Sequence, residues 1–158
     1  MEEIKEEVVE STEVLLSSNS AEVKLRPIAD IIADLKKPIH PSKLKTRPQG
    51  GQTITFIPWF YATQYLDKYA PGWSYTITSS DVIALPEKLE YILKVRLTIP
   101  AADGVFHRDA LGTGLQEKDM KTGKWRQVYG GAAEIAESAA LRRAAAKFGL
   151  GLYLYEGD

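Results

Sequence analysis

Three cationic residues lie close together near the carboxyl end of the sequence: Arg142, Arg143 and Lys147. A guanidinium presents a planar fork of N–H donors that matches two oxygens of a phosphate, so the cluster predicts a site for backbone phosphates. Cations in the last turn of a helix also complement the helix dipole, which could by itself account for these charges. The spacing leaves both interpretations open.

The element that carries these cations is a predicted helix from Ala132 to Phe148. It is rich in strong helix formers, contains no Pro or Gly, and is followed by Gly149, a typical residue just beyond a helix end. Its second half predicts an apolar arc and, opposite, a basic arc formed by Arg142, Arg143, Ala146 and Lys147. We expect the small Ala146 to let a strand backbone lie close to the helix.

The first half of this helix breaks the pattern. Glu134, Glu137 and Ser138 fall on the arc that is apolar further along. An Ala-rich helix with no single apolar face suits close packing against more than one partner, another subunit among them.

A second group of cations lies between residues 36 and 47, in a stretch that contains no acid. Its prolines, Pro38 and Pro41 with Pro48 just beyond, argue against regular structure and predict a loop or an arm. Phosphate contact and a solvated connector are both open for its five cations, which are Lys36, Lys37, Lys43, Lys45 and Arg47.

The sequence contains two further basic sites, one on a predicted strand and one in a predicted loop. Lys94 and Arg96 project to the same side of a predicted strand, away from its apolar residues, where they line a groove or face solvent. The loop from Lys118 to Arg126 is a further candidate phosphate contact, with ordinary loop lysines as the alternative.

The remaining elements predict an α+β fold, an antiparallel β-meander of three to five strands packed with helices and closed by the basic helix. Helices are predicted from Ile28 to Leu35 and from Trp59 to about Tyr69, with the aromatic residues of the second mostly in the core. Strands are predicted at residues 52–57, 73–78, 89–99 and 105–111, the last of them ended by the Gly112-Thr113-Gly114 segment.

Composition limits the class of protein. The chain has 158 residues, 44% apolar, with a net charge of −1 and no cysteine, which excludes disulfides and thiolate sites. Residues 1–24 read as an acidic, disordered tail and residues 25–158 as one domain. The acidic start is unlike a signal peptide and no apolar run is long enough for a membrane span, so we expect a cytoplasmic, nucleoid-associated protein.

Residues suited to catalysis are few. His40 and His107 lack metal-ligand spacing, and no motif for a nucleotide phosphate is present, so the sequence predicts no cofactor, no metal and no enzyme activity. Asp81 and Glu90 leave a metal-dependent nuclease as a minor alternative.

The order of several segments resembles the single-strand annealing proteins of the Rad52 family, over roughly residues 28–155. The segments are GGQTITFI, GWSYTI, YILKVRLTI, DGVFHRDALGTG and AESAALRRAAAKFGLGLYLY, and the end of the chain is most similar to the bacterial DdrA type. Arg142 and Arg143 match the basic pair that holds the DNA backbone in that family. Ala146 stands where eukaryotic members have a further cation, and Trp59 lies near the position of an arginine used for DNA.

The resemblance implies subunits assembled into a ring or arc, with single-stranded DNA in an external positive groove, and annealing without ATP. Assembly is also expected because a short meander has two open edges and because the helix at Ile28 to Leu35 has an apolar stripe to cover. The tail is a candidate contact for other recombination proteins. The alternative is a structural or protein-interaction oligomer without DNA binding, in which the arginines form salt bridges between subunits.

Overall fold

The structure is a computed structural model that describes residues 22–126 and 131–156. Most of the predicted acidic tail, residues 1–21, lies outside the described residues. In chain order the elements are α1 (Ile28–Leu35), a 3-10 turn (Pro41–Lys43), β1 (Lys45–Gln49), β2 (Gln52–Phe56), α2 (Trp59–Tyr69), β3 (Ser74–Ala84), β4 (Lys88–Ala101), β5 (Gly104–Glu117), α3 (Ala132–Lys147) and a second 3-10 turn (Leu152–Tyr155).

The three long strands form an antiparallel meander in the order β3-β4-β5, which confirms the predicted α+β fold. Alternation along β4 gives the sheet two different faces. Leu93, Val95, Leu97 and Ile99 are buried on one face, and α3 packs across β4 and β5 on that side. The opposite face, which carries Lys94 and Arg96, remains open.

β1 and β2 form a separate two-stranded sheet. The expectation that the prolines exclude regular structure from the basic stretch was therefore wrong for its last part, since Lys45 and Arg47 lie in β1. Pro48 sits opposite Thr53 in this hairpin, and an edge strand tolerates proline because one side of its backbone needs no partner strand.

β5 is longer than predicted, because Gly112-Thr113-Gly114 continues the strand to Glu117 instead of ending it. A Cβ on Gly112 would overlap the carbonyl oxygen of Ala136, and one on Gly114 would overlap that of Ala132. These glycines therefore let the backbone of α3 lie directly against β5, with alanine side chains completing the contact.

The carboxyl end of α3 forms the predicted glycine cap. Gly149, at φ 114°, donates its N–H to the carbonyl of Ala146, and Leu150 donates to that of Ala145, the hydrogen-bond pair of a Schellman motif. The turn directs Phe148 and Leu150 into the core, where both are almost fully buried.

Helices α1 and α2 complete the core on the same side of the sheet as α3. Ile31 and Leu35 of α1 are buried within the protomer, so the apolar stripe of this helix faces the core and does not support the expected assembly. In α2, Tyr61, Tyr65 and Tyr69 pack against the core as predicted. Trp59, by contrast, is 51% exposed.

Candidate nucleic-acid interface

A groove of about 880 Å³ runs between the β1–β2 hairpin and α3. None of the described residues that line it is an Asp or a Glu, so its charged side chains are all cationic. Neutral side chains that can donate hydrogen bonds also line the groove. The lining residues with polar or charged side chains are Arg47, Gln49, Gln52, Thr53, Thr55, Thr113, Arg142, Arg143, Tyr153 and Tyr155.

Arg142 lies in the wall of this groove with only 8% of its surface exposed. Its guanidinium stands over the ring of Phe56 at 5.2 Å from the ring centre. Burial lowers the pKa of Arg142, the charge of Arg47 acts in the same direction, and Tyr155 opposes the shift. The salt bridges formed within residues 22–126 and 131–156 do not include Arg142.

The predicted basic arc is therefore not uniformly open. Arg142 and Ala146 were expected on a face free for DNA, yet both are buried, Ala146 at 4% exposure. The reason is tertiary, because the hairpin brings Phe56 onto Arg142 while Leu152 and Tyr155 lie beside Ala146 in a neighbouring pocket. Packing against more than one partner was the right expectation for α3, and the sheet and α2 are partners from the same protomer.

Arg47 reaches the same aromatic ring from the hairpin. Its guanidinium lies 5.1 Å from the centre of the Phe56 ring, so two arginines from distant parts of the sequence contact one side chain. Contact with the ring holds the planar guanidinium groups without neutralising them. Arg47 is exposed, and it lines the groove.

A second pocket of about 560 Å³ adjoins the groove and shares Arg143 and Tyr155 with it. Lys94 and Lys147 are the other cations among its described lining residues. Arg143 donates to the carbonyl of Leu111 at 3.4 Å, and the Lys147 ammonium donates to the carbonyl of Asp109. Since β5 is an edge strand of the meander, these two side chains lie along a strand edge that is otherwise open.

Asp109 is the one acid among the described residues that line this second pocket. Its carboxylate accepts hydrogen bonds from Arg96 at 2.9 and 3.2 Å and lies 3.9 Å from the ammonium of Lys94. The Arg96 guanidinium holds the pKa of Asp109 below its usual value, and Asp109 raises the pKa of Arg96 in return. Arg96 is thus engaged by a carboxylate, while Lys94, Arg143 and Lys147 converge on the pocket.

The cations from residues 36 to 45 lie apart from the groove. Lys37 forms a salt bridge with Asp34 at 2.6 Å, and the stem of Lys36 lies beside Gly149. Lys43 stands over the ring of Tyr61 at 4.4 Å, and Lys45 over that of Phe60 at 5.4 Å. The structure therefore brings Arg47, Arg142, Arg143, Lys147 and Lys94 together and leaves the four lysines Lys36, Lys37, Lys43 and Lys45 outside.

The sequence that forms this fold and this groove matches a known protein family. Residues 27–158 match the family described as Rad52/22 family double-strand break repair protein. The chain belongs to the Rad52/22 family. This confirms the family predicted from the sequence, while the DdrA type stays a prediction.

Two plant proteins resemble this Rad52/22 family chain. It is 35% identical over 133 residues to the DNA repair RAD52-like protein 1, mitochondrial, of Arabidopsis thaliana, covering 84% of this chain and 70% of that protein. It is 37% identical over 133 residues to the DNA repair RAD52-like protein 2, chloroplastic, of the same organism, covering 82% of this chain and 61% of that protein.

The described residues give little support to other classes of site. No group of three or more His, Asp and Glu side chains among them is placed to hold a metal ion, so the nuclease alternative at Asp81 and Glu90 gains nothing from the fold. None of the helices in this part of the chain is long and apolar enough to cross a membrane.

The sequence did not single out Phe56, Tyr155 or the pairing of Asp109 with Arg96. The alternation of Phe56 with Ile54 marked it only as apolar, and nothing local links it to two arginines. The pair of Arg96 and Asp109 was within reach, because the tight turn at residues 102–103 fixes which residues of β4 and β5 lie opposite each other.

Proposed function

We propose that this Rad52/22 family protein binds single-stranded DNA through its backbone phosphates and promotes the pairing of complementary strands or protects DNA ends. The observation that carries the proposal is Arg142, a guanidinium buried in a groove whose described lining contains no carboxylate. Among the described lining residues this buried charge has no counter-ion, which is unfavourable, and a phosphate of a bound strand would supply the anion. Arg47 and Arg143 flank that position.

The groove suits a strand held by its backbone. Guanidinium groups, amides and hydroxyls bind phosphate and sugar oxygens without reading base edges, so binding is independent of sequence. Bases of a strand held in this way remain available to a complementary strand. The second pocket, with Lys94 and Lys147, extends the same positive surface along the edge of β5. Annealing by this route needs no ATP and no bond-breaking step, and we propose that the protein is not an enzyme.

Assembly of several copies is the second part of the proposal. β3 is an edge strand whose residues are all exposed, and it carries the apolar side chains Ile77, Val82 and Ile83 at 45%, 54% and 44% exposure. A second copy that covers this edge would pair its backbone and bury these side chains. Repeated around a ring or arc, the contact would align one groove per subunit into a polyvalent site.

The exposed edge of β3 also favours the alternative, a structural or protein-interaction oligomer that binds no DNA. Filter binding with labelled single-stranded DNA across a salt series separates the two. Phosphate binding predicts an affinity that falls with salt, with a slope of about 0.7 per phosphate contacted. An assembled protein that retains no single strand at low salt would leave only the structural alternative.

The tests of mechanism then follow on the same protein. Two complementary strands mixed with the protein in the absence of ATP should pair faster than the same strands without the protein.

Two further expectations remain predictions. They are that the acidic tail binds other recombination proteins and that the protein is cytoplasmic and nucleoid-associated. The two relatives are described as mitochondrial and chloroplastic.

A further inference from the structure

A patch of aromatic and basic side chains lies outside the groove, where α2 begins. Trp59 is 51% exposed and Phe60 36% exposed, which is unusual for large aromatic residues at the start of a helix that otherwise packs into the core. Their rings meet edge to face with centres 5.9 Å apart. Lys45 stands over the Phe60 ring at 5.4 Å, and Lys43 over the neighbouring Tyr61 at 4.4 Å.

This patch is connected to the groove by β1. Residues 45, 47 and 49 project to one side of that strand, and Arg47 and Gln49 line the groove. Successive members of the row are about 6.6 Å apart, the rise of two strand residues. Each of the first two carries its cation to an aromatic ring, Lys45 to Phe60 and Arg47 to Phe56. A row of cations thus leads from the buried Arg142 out to Trp59.

The charge of the row is not compensated within the described residues. The salt bridges found there do not involve Lys43, Lys45 or Arg47. A partner of this surface must therefore bring negative charge together with flat, apolar rings to cover Trp59 and Phe60. Nucleotides of a single strand combine these two properties, because each carries a phosphate and a base with an open face.

We propose that Trp59, with Phe60 beside it, is a base-stacking site that holds the DNA strand as it leaves the groove, while Lys43 and Lys45 bind the adjoining phosphates. This site rests on the proposed function of the groove and adds a different kind of contact to it. The groove holds the backbone and ignores the bases, whereas this patch holds a base by its face. Each subunit would then grip the strand at two chemically different points.

The test compares two labelled single strands of equal length, one of thymidines and one in which every base is replaced by an abasic sugar analogue. Fluorescence anisotropy with the full chain gives the affinity for each. Base stacking on an aromatic side chain predicts that the wild type prefers the thymidine strand by about tenfold. Trp59→Ala should remove that preference and leave the affinity for the abasic strand unchanged, and Trp59→Phe should keep part of it.

A second pair of variants tests the contribution of charge. Lys45→Ala should weaken binding of both strands and lower the salt slope, whereas Lys68→Ala, which removes an exposed lysine over Tyr69 at the other end of α2, should change neither. Circular dichroism and thermal unfolding confirm that each variant is folded.

Each of three outcomes would overturn the proposed stacking site. Equal affinity of Trp59→Ala and wild type for the thymidine strand, with Arg143→Ala impaired, would overturn the stacking site while the groove stands. A change of particle mass in Trp59→Ala with an unchanged ratio of the two affinities would make the patch a contact between copies and also overturn it. Wild-type protein that binds neither strand would overturn the proposed function and the stacking site together.

Discussion

Arg142 and Arg143 are neighbours in the sequence but occupy different environments. The guanidinium of Arg142 is buried against the ring of Phe56 at 5.2 Å, whereas Arg143 is exposed and donates to the carbonyl of Leu111 at 3.4 Å. The pair was predicted as two equivalent phosphate ligands. Their different burial makes Arg142 part of the packing of the groove and leaves Arg143 at its surface, so their substitutions should have different effects.

Arg143→Ala should weaken binding of single-stranded DNA with little loss of stability. The variant would lose a charge-assisted hydrogen bond from Arg143 to a DNA phosphate, worth about 1 to 3 kcal/mol, and the salt slope should fall by about 0.7. Fluorescence anisotropy across a salt series measures both. Lys68→Ala makes the same change of charge at a site remote from the groove, and equal effects of the two variants would contradict a specific role for Arg143.

Arg142→Ala should reduce both stability and DNA affinity, because it removes the aliphatic stem that packs under the hairpin as well as the charge. Arg142→Met keeps a stem of similar length, so it should retain the free energy of unfolding and still lose DNA affinity. Urea unfolding of the two variants, expected to differ by about 1 to 2 kcal/mol, separates packing from charge. A methionine variant that binds DNA like the wild type would show that Arg142 is purely structural.

Asp109→Asn should increase DNA affinity at low salt, since Arg96 and Lys94 would lose their carboxylate partner and become available to phosphates. The gain should shrink as salt rises. Because the pKa of Asp109 is lowered below 3.8, the wild-type carboxylate stays charged at neutral pH. Its contribution to stability is present above that value and is lost as the pH falls through the lowered pKa. Reduced affinity of the asparagine variant at low salt would contradict this.

Gly112→Ala should destabilise the fold by about 3 kcal/mol, because its methyl group would overlap the carbonyl of Ala136 and force α3 away from β5. Thr113→Ala, at the next and exposed position of the same strand, is the control and should cost far less. Thermal and urea unfolding give the comparison. If the two substitutions cost the same, the close approach of α3 to β5 would be wrong.

Assembly should depend on the edge of β3. Ile77→Lys places a charge at a 45% exposed position on that edge, so the folded protomer should be unaffected while contacts between copies are lost. Light scattering should give a mass several times 17.5 kDa for the wild type and a smaller one for the variant. Val105→Lys, at a 61% exposed position near the turn between β4 and β5, serves as the control. A wild-type particle of 17.5 kDa, with or without DNA, would rule out the ring or arc.

What the sequence predicted well was local. The bounds of α1 and α2 followed from proline at the first turn and from apolar spacing, and the meander followed from alternation with short connections. The prediction of an irregular arm failed at β1, because a proline is excluded from a strand only where its missing N–H would have been paired. The end of the last strand was misplaced because the segment from Gly112 to Gly114 was expected to end it, and only the position of α3 shows why the strand contains these glycines.

The site was predicted in composition but not in arrangement. Arg142, Arg143 and Lys147 were identified from one helix. The groove is completed by residues of the turn that follows this helix and by residues of the hairpin and of β5, which are far away in the sequence. The burial of Arg142 depends on the position that Phe56 takes when the hairpin folds over α3. Such a contact has no periodicity or motif, so alternation along β2 could mark Phe56 only as apolar.

The direct contact of β5 with α3 has a consequence for how DNA would be received. At Gly112 and Gly114 the two elements meet through main-chain atoms and methyl groups, which have no rotamers to change. The distance between the edge of the sheet and the helix that carries Arg143 and Lys147 is therefore set before any strand arrives. On DNA binding, the entropy of ordering would then fall on the DNA and on the long cationic side chains, and the protein backbone would serve as a rigid template to which the flexible polymer conforms.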